Sequence, residues 1–538
     1  PVTFKCIDVS SEISIENCDP SYFFTTQIAD SGNRRNVPPR ELENIGIPLS
    51  DEQISVLREI NANDMDDAHI EALAGTGKTH IHKAITTMLT AKGIDPRKIL
   101  ILTSFNEQLN AARPFLPIGI KADYFFSVLR QSLKIQASQE EISHWQTIAG
   151  AVLYDHQKLS DSNTFYDNLL EADSYRIVSR FCNSTSKTIT DEHLDYVPKN
   201  ALIPRNDQSR RVGDRVANAL ILWQRILRQI CDGRMDNIRK LYLIKIADLA
   251  GASVQTGHTH IIIDEAHNLS RPMISILNRS NLKLFYLGDE NQGTKGYFDA
   301  FSGSPHKRLF SNSQRTGIEI ATAVNSVLGQ IGRSYSETLV GNSKIHSVIE
   351  LYKEFPEPNA NSVILVHDEF AMFTLVQKLT NRGHEVSLLG SNPKLKEFVS
   401  SLFKLRNPDK KVKPSHALID RFDSWQEMAS FYKGNSVFEE VDYWFNRNPP
   451  YSWENWKTTL AKITGTDGSI KVGLLEQSRS YEFDHVIITK DVFDAVWKAK
   501  RRFKPQHKNN IYLAMTRAKR LLSLPDEFNS WLGVKEDS

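Results

Sequence analysis

Cysteine is scarce and scattered in this chain. Cys6, Cys18, Cys182 and Cys231 are the four among 538 residues, with no C-x-x-C pair. Such spacing argues against zinc sites and a disulfide framework, and it fits a reducing compartment, so a cytoplasmic location is expected. An excess of charge of one sign is also lacking. The 66 Lys and Arg face 64 Asp and Glu, a formal +2, so any polyanion-binding surface has to be a local patch. No apolar run approaches the ~20 residues of a membrane-spanning helix, which excludes a membrane partner from expectation. The opening P-V-T-F-K-C-I-D-V-S does not read as a secretion signal. Repeats and low-complexity tracts are missing. What is present, 40% hydrophobic and 24% charged residues, is the composition of an ordinary globular protein, with length for about three to five domains or subdomains.

The most informative stretch is Glu71–Thr79, E-A-L-A-G-T-G-K-T, followed by a helix-compatible run over His80–Leu89. Ala74, Gly75, Thr76, Gly77, Lys78 and Thr79 form the core of a phosphate-binding loop. Glycines let backbone N–H groups turn inward around phosphate oxygens, Lys78 can reach the β- and γ-phosphates, and the Thr79 hydroxyl can bind Mg²⁺. The following helix adds the positive end of its dipole. ATP and Mg²⁺ are therefore the expected cofactors. The first glycine of the usual pattern is replaced by Ala72.

Downstream, His260–Ile263 is an apolar strand that ends in Asp264 and Glu265. Parallel α/β sheets place ligands at the carboxyl ends of their strands. Asp264 suits a water-held Mg²⁺, and Glu265 suits proton abstraction from an attacking water. A phosphate cradle and a metal-and-base pair are the two halves that triphosphate hydrolysis needs. Gln292, after the next strand, is placed to meet the γ-phosphate or the lytic water. Arg315 and Arg517 offer positive charge for the departing phosphate.

Alternation of helices with apolar strands at 98–103, 258–263, 283–287, 362–367, 385–389, 470–475 and 485–489 indicates an α/β protein with two parallel-sheet cores. The first core takes 46–129 and 241–312, interrupted by a mostly helical insert over 130–240. The second takes 313–407 and 467–538, interrupted by a small tryptophan-bearing insert over 408–466, whose tryptophans are expected to form its own core. Residues 1–45 read as an appendage. Phe125 and Phe126 are expected in the core rather than against a nucleic acid. A basic run from Lys498 to Lys508 is either a phosphate track or a solvated face.

In motif order, residues 49–521 resemble the superfamily 1 helicases of the UvrD/Rep/PcrA-like group. Leu49–Gln53 is similar to the adenine-reading motif, with Gln53 as reader. Ala72–Thr79 matches motif I, where alanine in place of the first glycine is common. Thr103–Asn106 is similar to motif Ia, Asp264–His267 to motif II, Gly288–Tyr297 to motif III, Ser313–Thr316 to motif IV, Tyr481–Asp484 to the end of motif V and Tyr512–Lys519 to motif VI. The resemblance implies two RecA-like cores that close on ATP, Glu482 on the ribose, and Phe105, Asn106 and Tyr297 on single-stranded DNA. It also implies translocation on single-stranded DNA, 3′→5′, with unwinding of tailed duplexes. Departures mark a divergent member. Motif II ends in His267 rather than glutamine, Gln314 stands for the adenine-stacking aromatic, Arg479-Ser480 replaces lysine-glycine in motif V, and Tyr124–Ser127 lacks a histidine. The interval between motifs IV and V leaves only a reduced second insert, and the few residues after motif VI leave no room for a fused nuclease, so a separate protein partner such as a nuclease is conceivable. The alternative is a regulatory ATPase, such as a motor-like defence-complex subunit in which nucleic acid or a partner stimulates turnover without strand separation.

Overall fold

The structure is a computed structural model. It describes residues 49–62, 67–104, 109, 116, 118–133, 138–157, 171–194, 205–235, 238–293, 307–330, 338–389, 392–406, 416, 418–419, 422, 424–447, 463, 470–479, 481–493 and 505–532. Helix α1 (Asp51–Ala62) opens the described chain. Its start is held by a reciprocal cap. Gln53 N–H donates to Ser50 Oγ at 3.3 Å, and Ser50 N–H donates to Gln53 Oε1 at 3.0 Å.

Strands β1 (Ala68–Ala72), β2 (Ile99–Thr103), β3 (Lys121–Tyr124), β4 (His260–Ile263), β5 (Lys283–Gly288) and β6 (Lys307–Phe310) form one wholly parallel sheet in the order β3-β2-β4-β5-β1-β6. Burial on both faces explains the apolar runs of β2, β4 and β5. Successive residues go to opposite sides. Ile99, Ile101 and Ile262 pack with α1 and α2 (Lys78–Ala91), while Leu100, Leu102, Ile261 and Ile263 join the other cluster. That second cluster reaches through α3 (Phe125–Ser132), α4 (Ser138–Gln157), α5 (Glu171–Phe181), α6 (Arg205–Cys231), α7 (Lys240–Leu249) and α8 (Arg271–Asn278). Phe125 and Phe126 lie inside it. The helical region between β3 and β4 is thus continuous with the sheet's own core, through Trp145, Phe181 and Trp223.

A second parallel sheet has the order β7-β12-β11-β8-β10-β9. Its strands are β7 (Val348–Tyr352), β8 (Ser362–Val366), β9 (Val386–Leu388), β10 (Ile470–Leu474), β11 (Phe483–Ile488) and β12 (Ala518–Pro525). Helices α9 (Ile318–Gln330), α10 (Glu369–Asn381), α11 (Asn392–Arg406), α12 (Trp425–Phe431), α13 (Ser436–Arg447) and α14 (Pro505–Met515) surround it. Two six-stranded parallel sheets with helices around them make an α/β fold with two parallel-sheet cores. The tryptophan-bearing segment differs from expectation. Trp425, Phe438, Val441 and Phe445 share one cluster with Ile364, Val366, Phe370 and Val472. Trp425 therefore builds the sheet's core rather than a separate one. The reason is the apolar surface of α10 and α11, which needs a cover on its outer side.

Residues 1–45, Phe105, Asn106, Tyr297, Trp453, Trp456, the side chain of Thr79 and the basic side chains from Lys498 to Lys508 lie outside the described residues. Among the described residues, no helix is long and apolar enough to cross a membrane.

Candidate active site

Four neighbouring strands of the first sheet end at one edge. Their register brings the ends level, with Ile263 beside Tyr286 and Gly288 beside Glu71. Past β1 the chain turns through Leu73–Gly77 and enters α2 at Lys78. Gly75 (φ 74°) and Gly77 (φ 90°) occupy left-handed conformations that side chains resist. Both are also crowded. A Cβ on Gly75 would meet Ser313 Oγ at 2.9 Å, and one on Gly77 would meet Gln53 Nε2 at 2.6 Å. Lys78 and Thr79 sit in the first helical turn, two residues earlier than the sequence-based start, and Lys78 Nζ donates to Ala72 O at 3.2 Å.

Gln53, the expected base reader, also supports the loop. Its Oε1 is committed to the α1 cap, and its Nε2 donates to Thr76 O at 3.0 Å. At 2% exposure it braces the loop from behind, and its amide retains one further N–H and one further lone pair.

Asp264 and Glu265 follow β4 directly. Asp264 Oδ1 accepts the Glu265 N–H at 2.9 Å and lies 3.3 Å from His82 Nε2. Burial alone would raise the Asp264 carboxyl, but His82 and Lys78 outweigh it and hold it below its ordinary range. Glu265 moves the opposite way. Burial lifts its pKa, Asp264 and Asp289 add to the rise, and Lys78 and Arg517 only partly offset it. Two adjacent carboxyls pushed apart in this manner suit an ionised cation holder beside a proton acceptor. Glu265 also has a left-handed backbone (φ 50°, ψ 47°), the strained geometry that functional positions often carry.

His267 is almost wholly buried and fixed by the next strand. Asp289 N–H donates to its Nδ1 at 3.1 Å. That ring nitrogen also lies 3.3 Å from Glu265 Oε2, a separation that would suit an ion pair. We read His267 as neutral, because a backbone N–H is always a donor and so makes Nδ1 an acceptor. Burial, with Lys78, Arg479 and Arg517 nearby, pushes the imidazole well below its usual value, in agreement. Among the described residues, Glu265 Oε2 thereby has no hydrogen-bond donor.

From β5, Asp289 collects three donors. These are Asn291 N–H at 3.1 Å, Gln292 Nε2 at 2.8 Å and the Tyr512 hydroxyl at 2.7 Å. Tyr512 belongs to α14, in the second lobe, and its oxygen accepts Ala74 N–H at 3.0 Å. Arg517 Nη2 donates to Gln292 Oε1 at 3.2 Å, and Asn509 Nδ2 donates to Gly293 O at 2.7 Å. Leu73 and Ala74 share a buried cluster with Tyr512, Ala514 and Met515. The two sheets therefore meet at the loop itself.

Arg315 leaves β6 and lies against the loop, with its Nε 3.1 Å from where a Gly75 Cβ would stand. Gln314 N–H donates to Gly75 O at 2.7 Å. The Arg315 guanidinium pairs with Glu482, which Lys519 also approaches at 3.7 Å. Burial would raise the Glu482 carboxyl, but Arg315, Lys519 and Arg517 hold it low. Arg517 is buried, and desolvation together with Arg315 pushes it down to about 10, still cationic at neutral pH. A further arginine faces this cleft. Arg479 Nη1 donates to Asn268 Oδ1 at 3.0 Å across the lobes.

Lys78, Asp264, Glu265, Gln292, Arg315, Glu482 and Arg517 thus gather around one cleft, with Gln53 behind it. Tyr512, Asp289, His82 and Arg479 complete the cleft. Asp289 and Tyr512 lie inside segments matched to motifs III and VI, and Arg479 at a departure in motif V, without an assigned contact, whereas His82 lies outside every matched motif. No protein-family model matches the chain, and no curated protein is significantly similar to it.

Proposed function

We propose that this chain is an ATP-hydrolysing motor on single-stranded nucleic acid, with triphosphate held between two RecA-like lobes. The observation that carries the reading is the convergence of a lysine-bearing glycine loop, two carboxyls of divergent acidity and Gln292 with Arg315 and Arg517 from the facing side. Lys78 and the loop N–H groups bind the β- and γ-phosphates. Arg315 and Arg517 stabilise charge on the transferred phosphoryl group. Glu265, uncommitted and raised in pKa, takes the proton of the attacking water, and Gln292 orients that water.

The residues present fit a divalent cation. Asp264 is ionised, and among the described residues both its contacts fall on Oδ1 and none on Oδ2. Asp264 would hold Mg²⁺ through water, with Thr79 as its sequence-expected companion, and the ion would neutralise developing phosphate charge. Arg517–Gln292 and Tyr512–Asp289 span the lobes, so a change of phosphate charge is felt directly by contacts that set lobe closure. The resemblance of motif order supports single-stranded DNA as the track and 3′→5′ movement.

The test is ATP turnover by wild type and Glu265→Gln with and without single-stranded DNA or RNA, followed by displacement from 3′- and 5′-tailed duplexes. Turnover stimulated by single strands, with displacement, is expected. Stimulation without displacement would make the chain a regulatory ATPase. Turnover indifferent to nucleic acid would overturn the motor.

A further inference from the structure

We propose that His82 is a positioning residue for the cation-holding carboxylate, an inference that rests on the nucleotide reading above. His82 lies four residues after Lys78 on α2, hence on the same face one turn along. That face packs on the sheet, where Ile81, Ala84 and Ile85 are fully buried and an apolar side chain is the usual filler. His82 is 5% exposed there, and its Nε2 faces Asp264 Oδ1 at 3.3 Å. The contact lacks the alignment of a strong hydrogen bond, yet among the described residues Nε2 has no other partner. A buried imidazole nitrogen aimed at one carboxylate needs a reason.

The reason lies in how Asp264 is divided. Glu265 N–H and His82 both address Oδ1, which anchors the carboxylate from the protein side. Among the described residues Oδ2 has no contact, and the side chain is 18% accessible. One oxygen fixed and one offered is the arrangement by which partners behind a ligand orient it toward a metal. His82 itself does not touch nucleotide or the reacting atoms.

The experiment measures Mn²⁺ binding by electron paramagnetic resonance in the presence of a non-hydrolysable ATP analogue, and analogue binding alone in EDTA. The variants are His82→Leu, His82→Asn and His82→Gln. Leucine removes the donor, asparagine is too short to reach Asp264, and glutamine reaches it. His82→Leu and His82→Asn are expected to weaken Mn²⁺ binding by about tenfold or more, His82→Gln to recover most of it, and all three to bind the analogue in EDTA within about twofold of wild type. The asparagine–glutamine comparison stands if the leucine variant does not fold. Wild-type Mn²⁺ affinity in both His82→Leu and His82→Asn would overturn the proposal. So would a Zn²⁺-over-Mn²⁺ preference that collapses in those variants, since His82 would then be a direct ligand. Failure of the wild type to bind analogue under any condition would instead sink the nucleotide reading, and this inference with it.

Discussion

The Tyr512 hydroxyl donates to Asp289 Oδ2 at 2.7 Å across 223 residues of sequence, and the same oxygen accepts Ala74 N–H from the loop. One phenol therefore joins helix α14 of the second lobe to two strand ends of the first. Tyr512→Phe keeps the ring but strands a buried N–H and removes a donor from a buried carboxylate. A loss of about 1–3 kcal/mol is expected, read by chemical denaturation, with faster proteolysis between the lobes. Unchanged stability would mean that water replaces the hydroxyl.

Lys78 donates to Ala72 O and is the residue that meets phosphate in the proposed function. Lys78→Ala is expected to lower turnover by about 10²-fold or more and to weaken analogue binding. Glu265→Gln should separate these effects, with analogue binding retained and turnover lowered about 10²–10⁴-fold.

Glu265 also gives a pH test. Its pKa is raised in the folded state, chiefly by burial, so folding favours its protonated form. The charged form then costs stability, a cost absent below the unfolded carboxyl pKa and fully present above the folded one. Glu265→Gln should be more stable than wild type at neutral pH, by about 0.5–2 kcal/mol. The difference should shrink as pH falls through the folded pKa toward the ordinary glutamate range. A constant difference across that window would contradict the assignment.

Arg315 is paired with Glu482 beside Gly75. If its charge serves the phosphoryl group, Arg315→Ala should lower turnover about 10³-fold or more. The exchange Arg315→Glu with Glu482→Arg restores an ion pair but not a cation beside the loop. It should leave turnover as low as the single variant. Recovery in the exchange would show that only the pair matters.

Gly77 carries two constraints, a φ of 90° and a Cβ position 2.6 Å from Gln53 Nε2. Gly77→Ala should destabilise by about 1–3 kcal/mol. Adding Gln53→Ala should relieve the collision and leave the backbone strain, so rescue is partial. Complete rescue would remove the conformational argument.

The central strands β2, β4 and β8 show in the sequence because both faces are buried and all but one terminal residue of each, Thr103, His260 and Ser362, is apolar. Edge strands β3, β6 and β7 do not, since K-A-D-Y, K-R-L-F and V-I-E-L-Y lack an uninterrupted apolar run. Strand β1 is central yet carries His69 and Glu71, which break the run, although all five of its residues are buried. In the site, Lys78 and the Asp264–Glu265 pair are legible because their chemistry depends on a few consecutive residues. Gln53 was legible as a residue but not as a support for the loop.

By itself the sequence determined the local devices, namely a glycine turn that exposes N–H groups, an apolar strand that ends in two carboxyls, and arginines near the ends of α/β units. These follow from backbone geometry and side-chain type over a few residues. Only the tertiary structure decided which arginine meets which acid, that Tyr512 ties the lobes, and that His82 stands behind Asp264. Those pairings arise from the packing of two sheets whose contacting residues lie hundreds of positions apart, as Ala74 and Tyr512 do, and local pattern holds no information about that register.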